Sequence, residues 1–202
     1  MIPRLTSLVL VALVSWTAGC RKDQPAPLPE IHGTLPTFEL VDQTGAPFAS
    51  KSLIGKLWVV NTFFTSCRSI CPPMMASLKR VATRLPASVP IVSISIDPDN
   101  DTAEVLARYA KDHGIDGTRW RLLTGDYSAI RALVVDGFRT ALGTPPEHRT
   151  AGDDIEHSGK LMLIDGESRL RGWFSSDGPG TDALAAAVTA LQAAATEAGG
   201  AR

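Results

Sequence analysis

No stretch of the 202-residue chain is dense in lysine or arginine, and the formal net charge is −1. That removes the electrostatic basis for nucleic-acid binding, which rests on a concentrated positive face. Charged residues of both signs make up only 20%, against 44% hydrophobic. Such a balance excludes a disordered chain and describes one domain with room for a sizeable core. No internal repeat and no second domain interrupt it. Cysteine is scarce too: Cys20, Cys67 and Cys71 are the only three. An odd number leaves one thiol for a task other than an internal bridge, and position singles out Cys20.

Met1 to Gly19 has the form of an export signal, with Arg4 in the positive n-region and Leu8 to Val14 as the apolar h-region. Thr17-Ala18-Gly19 are small residues ahead of Cys20. Ala-Gly-Cys resembles the end of a bacterial lipobox, in which the cysteine is lipidated and becomes the mature N-terminus, although Thr17 stands where Leu is usual. A plain cleaved signal and an uncleaved anchor helix, short for a full span, are the alternatives. Each puts the domain outside the cytoplasm, and the lipidated form belongs on the periplasmic side of the bacterial cell envelope. Residues 1–20 are therefore assigned to the signal, residues 21–33 to a tether stiffened by Pro25, Pro27 and Pro29, and residues 34–198 to the folded domain.

Within that domain, Phe38 to Val41 and Pro47-Phe48 flank a turn at Gly45 and form a small N-terminal β-hairpin. Trp58 to Phe64 is apolar or β-branched almost throughout, a strand buried on both faces. Pro72 and Pro73 open a helix to about Leu85, with Met74, Leu78, Val81 and Leu85 along one face. Pro90 to Ile96 is a second strong strand, broken by Asp97-Pro98-Asp99-Asn100. Asp101, three residues before Glu104, has the spacing of a capping box for a helix ending at about His113, with Gly114 after it. A strand follows at Trp120 to Leu123, then a helix at Tyr127 to Val135. Residues 137–158 are the longest polar stretch, a length that marks a functional or mobile loop. Leu161 to Ile164 and Leu170 to Phe174 bracket Asp165-Gly166 as a hairpin. The last helix is expected from about Thr181 to Ala195, with Gly199 to Arg202 frayed. Two strand–helix–strand units followed by a hairpin and a helix give an α/β fold. It is a central mixed sheet with helices on both faces, thioredoxin-like in its order of elements.

Cys67 and Cys71 sit on the turn from the first core strand into a helix, whose positive end favours thiolate over thiol. Spacing alone admits a disulfide staple, a redox couple or a soft-metal site. A staple gains little from so short a loop, and the tips of core strands are where open α/β sheets form their crevices. His157 adds a third ligand type. It immediately precedes the strand at Leu161, which is expected beside Trp58 to Phe64, and so it approaches the two sulfurs. Two thiolates and an imidazole make a soft three-coordinate site suited to Cu(I), and the imidazole supports Cu(II) as well. A closed zinc site would want a fourth ligand, and none is evident.

Thr65 to Pro72, then Ile96 to Thr102, then His157-Ser158 ahead of Leu163-Ile164-Asp165 occur in an order that resembles the Sco/SenC family, over about Thr34 to Ala195. That resemblance implies a thioredoxin-like domain binding copper through Cys67, Cys71 and His157. It implies a metallochaperone that assists assembly of the dinuclear copper (CuA) centre of cytochrome c oxidase, by delivering copper, by reducing the receiving cysteines, or both. The partner so implied is cytochrome c oxidase subunit II or another periplasmic copper protein, met at the membrane to which Cys20 would tie the domain. Arg68 stands where relatives commonly carry an uncharged residue or proline, and it favours thiolate. Pro73-Met74-Met75 and the loop Thr144-Pro145-Pro146-Glu147-His148 are individual to this chain.

Other ligand types have simpler explanations. Met74 repeats with Leu78 and Val81 and belongs to the core, and Met75 is its neighbour. His32 lies in the tether and His148 in the long loop. His113 is at a helix end, where the dipole favours a cation. A strand exit and a helix cap account for Asp97, Asp99 and Asp101 without a hard cation. The rival function is a thiol–disulfide oxidoreductase using Cys67 and Cys71 as its couple, with a thiol peroxidase as a weaker third. Such oxidoreductases commonly use Cys-x-x-Cys and place a cis-proline just before the equivalent of the Leu161 strand. This chain has Ile155-Glu156-His157-Ser158-Gly159 there.

Overall fold

Every residue from Trp58 to Phe63 is buried, so this strand can only be central. In the computed structural model, which describes residues 27–143 and 155–200, it is the third of seven strands. The elements are β1 (Glu39–Asp42), β2 (Pro47–Ala49), β3 (Trp58–Phe63), α1 (Cys71–Ala82), β4 (Ile91–Ser95), α2 (Ala103–Asp112), β5 (Trp120–Thr124) and α3 (Tyr127–Ala132). They continue with a π-turn (Leu133–Gly137), β6 (Lys160–Ile164), β7 (Leu170–Ser175) and α4 (Gly178–Gly200). The sheet order is β2-β1-β5-β4-β3-β6-β7. β3, β4 and β5 are parallel, while β6 joins β3 and β1 joins β5 in the antiparallel sense. The expected mixed sheet and N-terminal hairpin are both present, and the hairpin extends the sheet at one edge.

Alternation along β3 sorts the helices onto two faces. Asn61 and Phe63 look toward the first face: Asn61 Nδ2 lies 3.7 Å from Met75 Sδ in α1, and the Phe63 ring meets Tyr109 of α2 at 5.3 Å. α4 packs beside α1 and against β7. Val60 and Thr62 look the other way. Val60 pairs with Met162, and Met162 with Trp173. Trp173 Nε1 donates to the Phe138 carbonyl just beyond the π-turn, which puts the α3 segment on this second face.

Several boundaries differ from the pattern-based reading, each for a local reason. α1 begins at Cys71 itself, so the second thiol stands on the helix. Thr102, not Asp101, caps α2, its hydroxyl accepting from Val105 N–H; Asp101 turns inward instead. Gly114 does end α2, with φ +63. His113 stacks on Tyr109 at 4.0 Å, and burial together with Lys79 pushes its pKa down, opposite to the direction in which the helix dipole acts. α4 runs on to Gly200 where fraying was expected.

The chain is attached to the domain from Pro29 onward, within the stretch expected to be tether. Arg171 donates to the Pro29 carbonyl at 2.5 and 3.1 Å, and His32 N–H donates to the Leu170 carbonyl. Cys20, the earlier tether and His148 lie outside the described residues. Arg171 also reaches Asp165 at 3.0 Å, and Arg169 reaches it at 2.8 Å. This corner fixes both the β6–β7 turn and the entering chain. Burial pushes the Asp165 carboxyl up, but donors from Arg169, Arg171 and Glu167 outweigh it and hold the group below the ordinary carboxylate range. A depressed carboxyl stabilises the fold above its unfolded pKa and loses that contribution as pH falls through the folded value. Asp165→Asn is therefore expected to cost about 2 kcal/mol at neutral pH. The gap to the parent should close as pH drops below about 4, as read by urea unfolding across pH.

Candidate metal centre

The antiparallel seam between β3 and β6 brings together the two ends of the site. Trp58 pairs with Ile164 and Val60 with Met162, so the residues just before β6 lie beside the exit of β3. His157 is held there from two sides. Leu142 bridges to it, and Gly143 N–H donates to the Glu156 carbonyl at 2.7 Å. These contacts join the described ends of the long loop. On the sheet side, Thr62 Oγ1 lies 3.5 Å from His157 Nδ1 and 3.4 Å from the Ser158 carbonyl. Nδ1 is 3.1 Å from that same carbonyl. A carbonyl only accepts, so the ring proton is assigned to Nδ1, which makes Nε2 the nitrogen that carries the lone pair. Nε2 faces Cys71 Sγ at 3.4 Å, and Phe64 closes the ring's flank edge-on at 5.7 Å.

The sulfurs are placed by the start of α1. Pro72 and Pro73 have no N–H, so Cys71 supplies the free amide of the first helical turn. That amide donates to Cys67 Sγ at 3.4 Å. Ser69 Oγ lies 3.7 Å from the same sulfur. Burial pushes the Cys67 thiol up, but hydrogen bonds from Cys71 and Ser69 prevail and bring it below the usual thiol range. Both cysteines are free thiols and both are buried. The ligand atoms of Cys67, Cys71 and His157 all lie within 4.8 Å of one another. Two sulfurs and one imidazole nitrogen at that separation are the donor set of a soft, low-coordinate metal ion.

The two candidate methionines are core residues, as the helical period of Met74 implies. Met74 and Met75 are 1% exposed core residues, with their sulfurs beside Asn61 Nδ2. His32, within the stretch expected to be an exposed tether, is half-buried and packs tilted against Trp173 at 4.6 Å.

One residue of the site was missed as such. Asp101 is 1% exposed, and its carboxylate accepts from Thr65 N–H at 3.0 Å, from the Thr65 hydroxyl, and from Ser95 Oγ at 2.5 Å. It ties the chain two residues before Cys67 to the end of β4. Burial pushes its carboxyl up against those hydrogen bonds, and Asp97 adds to the effect. The available signal was Ser95, a hydroxyl in a strand with no exposed position, which must find a partner. Close by, burial and then Cys71, Asp101 and Cys67 push the Tyr109 phenol up to about 12. Asp101→Ala leaves the Thr65 amide without its acceptor. Amide hydrogen exchange of residues 65–71 is expected to accelerate by about tenfold or more, for a loss of roughly 1.5 kcal/mol or above, with β6 unaffected.

Comparison with known proteins agrees with this geometry. The SCO1/SenC family model matches residues 29–192. A protein of Stutzerimonas stutzeri named for copper binding is 32% identical over 182 residues, covering 82% of this chain and 84% of that one. The SCO1 protein homolog of Bacillus subtilis (strain 168) is 28% identical over 137 residues, 66% of this chain and 69% of the relative. Among solved structures, a SCO1/SenC family lipoprotein from Bacillus anthracis str. Ames superposes with TM-score 0.71 at 28% identity, covering 82% of this chain and 99% of its own. Yeast Sco1 with copper bound superposes with TM-score 0.62 at 25% identity, covering 75% and 86%.

Proposed function

Because the chain belongs to the SCO1/SenC family, we propose that it is a copper carrier of cytochrome c oxidase assembly that takes one ion between Cys67, Cys71 and His157. The carrying observation is the convergence of their three ligand atoms within 4.8 Å in a buried pocket. The donor chemistry fits copper: thiolates select Cu(I), and an imidazole extends the site to Cu(II). Copper is cargo here. Cys67, already favoured as thiolate, makes the first contact. Cys71 then gives up its thiol proton, and the Nε2 lone pair of His157, held outward by the Nδ1 contact to Ser158, closes the third side. Release is the reverse, by exchange onto competing thiolates of a client. Subunit II of cytochrome c oxidase, through its CuA centre, is the client favoured by this reading. A lipid on Cys20 would keep the domain at the periplasmic face of the membrane. No described helix is long and apolar enough to cross a membrane itself.

The rival, thiol–disulfide exchange through Cys67 and Cys71, draws on the lowered Cys67 pKa and would use the imidazole 3.4 Å from Cys71 as a base, whereas copper binding employs all three groups as ligands. Copper titration of the reduced chain against a competing chelator is expected to give one ion per chain. Cys67→Ser, Cys71→Ser and His157→Ala should each weaken binding by more than about tenfold, since even supporting residues around a metal commonly cost that much. Undiminished affinity in His157→Ala would remove the imidazole from the site. Rapid insulin reduction by the metal-free chain would favour the rival.

A further inference from the structure

The metal centre has a neighbour on the second face of the sheet. Arg139, Glu156, Lys160 and Trp173 border an open groove of about 490 Å³, and His157 forms part of its wall. The groove is a built feature. Trp173 is fixed by its 2.7 Å bond to the Phe138 carbonyl and by the His32 ring packed tilted against it. Arg139 follows the π-turn and sits at φ +54, a left-handed conformation that a non-glycine residue adopts at some energetic cost and that tends to be kept where a side chain must be aimed. Its guanidinium lies over Gly33, where even a Cβ would stand only 2.9 Å from Nη2.

Charge is distributed unevenly here. Arg139 and Lys160 are exposed, and among the described residues Glu156 is the one carboxylate on the same groove. Past Ser158 and Gly159 the rim continues to Ile70, which lies next to Gly159 and is 40% exposed between the two cysteines. The exposed Arg68 is two residues away. Among the described residues, three exposed cations, one exposed acid and an exposed apolar side chain therefore line this groove and its rim, in a chain whose net charge is −1.

We propose that this groove docks an acidic segment of the client protein, pairing client carboxylates with Arg139 and Lys160 while an apolar client side chain covers Ile70. The inference rests on the copper-carrier reading and adds the chemistry by which the client is recognised. Rim charges of this kind speed and orient encounter more than they tighten the complex, so docking weakens as salt rises. Because His157 belongs to both groove and metal centre, a segment seated there lies alongside the copper ligands.

The test uses the full chain and a fluorescein-labelled 12-residue peptide with Asp and Glu flanking one Leu, against its Asn/Gln counterpart. By anisotropy at low salt, the acidic peptide is expected to bind about tenfold more tightly, the combined effect of two exposed charge pairs. Lys160→Glu alone should remove most of that preference, and Arg139→Glu with Lys160→Glu all of it, with copper affinity unchanged within about twofold, since neither residue is a ligand. Equal binding of the two peptides, or a preference that survives both substitutions, overturns the docking proposal while leaving the carrier reading intact. Charge-dependent binding to vesicles of anionic phospholipid with none to the peptide would make the groove a membrane contact and overturn it too. Failure of the carrier reading would show separately, as copper binding that ignores Cys67, Cys71 and His157.

Discussion

The antiparallel pairing of β6 with β3 is the constraint on which the rest depends. Parallel strands β3, β4 and β5 alone would leave a cysteine motif at a strand tip with nothing opposite it. Adding β6 in register, Val60 against Met162, brings His157 to Thr62 across a separation of 95 residues. A slip of one residue would send the side chains of β6 to the other face and carry the imidazole away from the sulfurs. The ligand set is thus a consequence of sheet register, and register is enforced by the wholly buried run of β3.

Electrostatics then gives the assembled pocket its preference. The first-turn amide of α1 and Ser69 lower the Cys67 thiol, while burial raises the Asp101 carboxyl and the Tyr109 phenol beside it. One group is helped to ionise and its neighbours resist. Such a pocket, with two sulfurs and one imidazole nitrogen within 4.8 Å of one another, suits a soft monovalent ion. The tie from Asp101 to Thr65 keeps the cysteine turn in place throughout.

Much of this was legible in the sequence because it follows from periodicity. The continuous apolar run at Trp58, the period of Met74, Leu78 and Val81, and the Asp165-Gly166 turn each specify one element. Together with Cys67, Cys71 and His157 they were enough to indicate fold and candidate site. What stayed hidden depends on tertiary pairing. Asp101-Thr102 offers two adjacent residues able to cap α2, and the choice of Thr102 is made by Thr65 and Ser95, which claim the carboxylate from elsewhere in the chain. Pro29 looks like part of a stiff proline-rich tether standing off the domain until Arg171 is seen bonded to its carbonyl. The pKa of His113 is pushed down by burial and Lys79, against the dipole, and the Tyr109 ring stacked on it is a contact that helix position alone does not reveal.

The central claim is that two sulfurs and one imidazole of a single chain enclose the ion. X-ray absorption at the copper edge of the reduced, Cu(I)-loaded full chain tests it most directly. The account requires a shell of two sulfurs and one nitrogen, with the nitrogen scatterer lost in His157→Ala. A shell of sulfur alone in the parent chain, or a nitrogen that persists after that substitution, would contradict it.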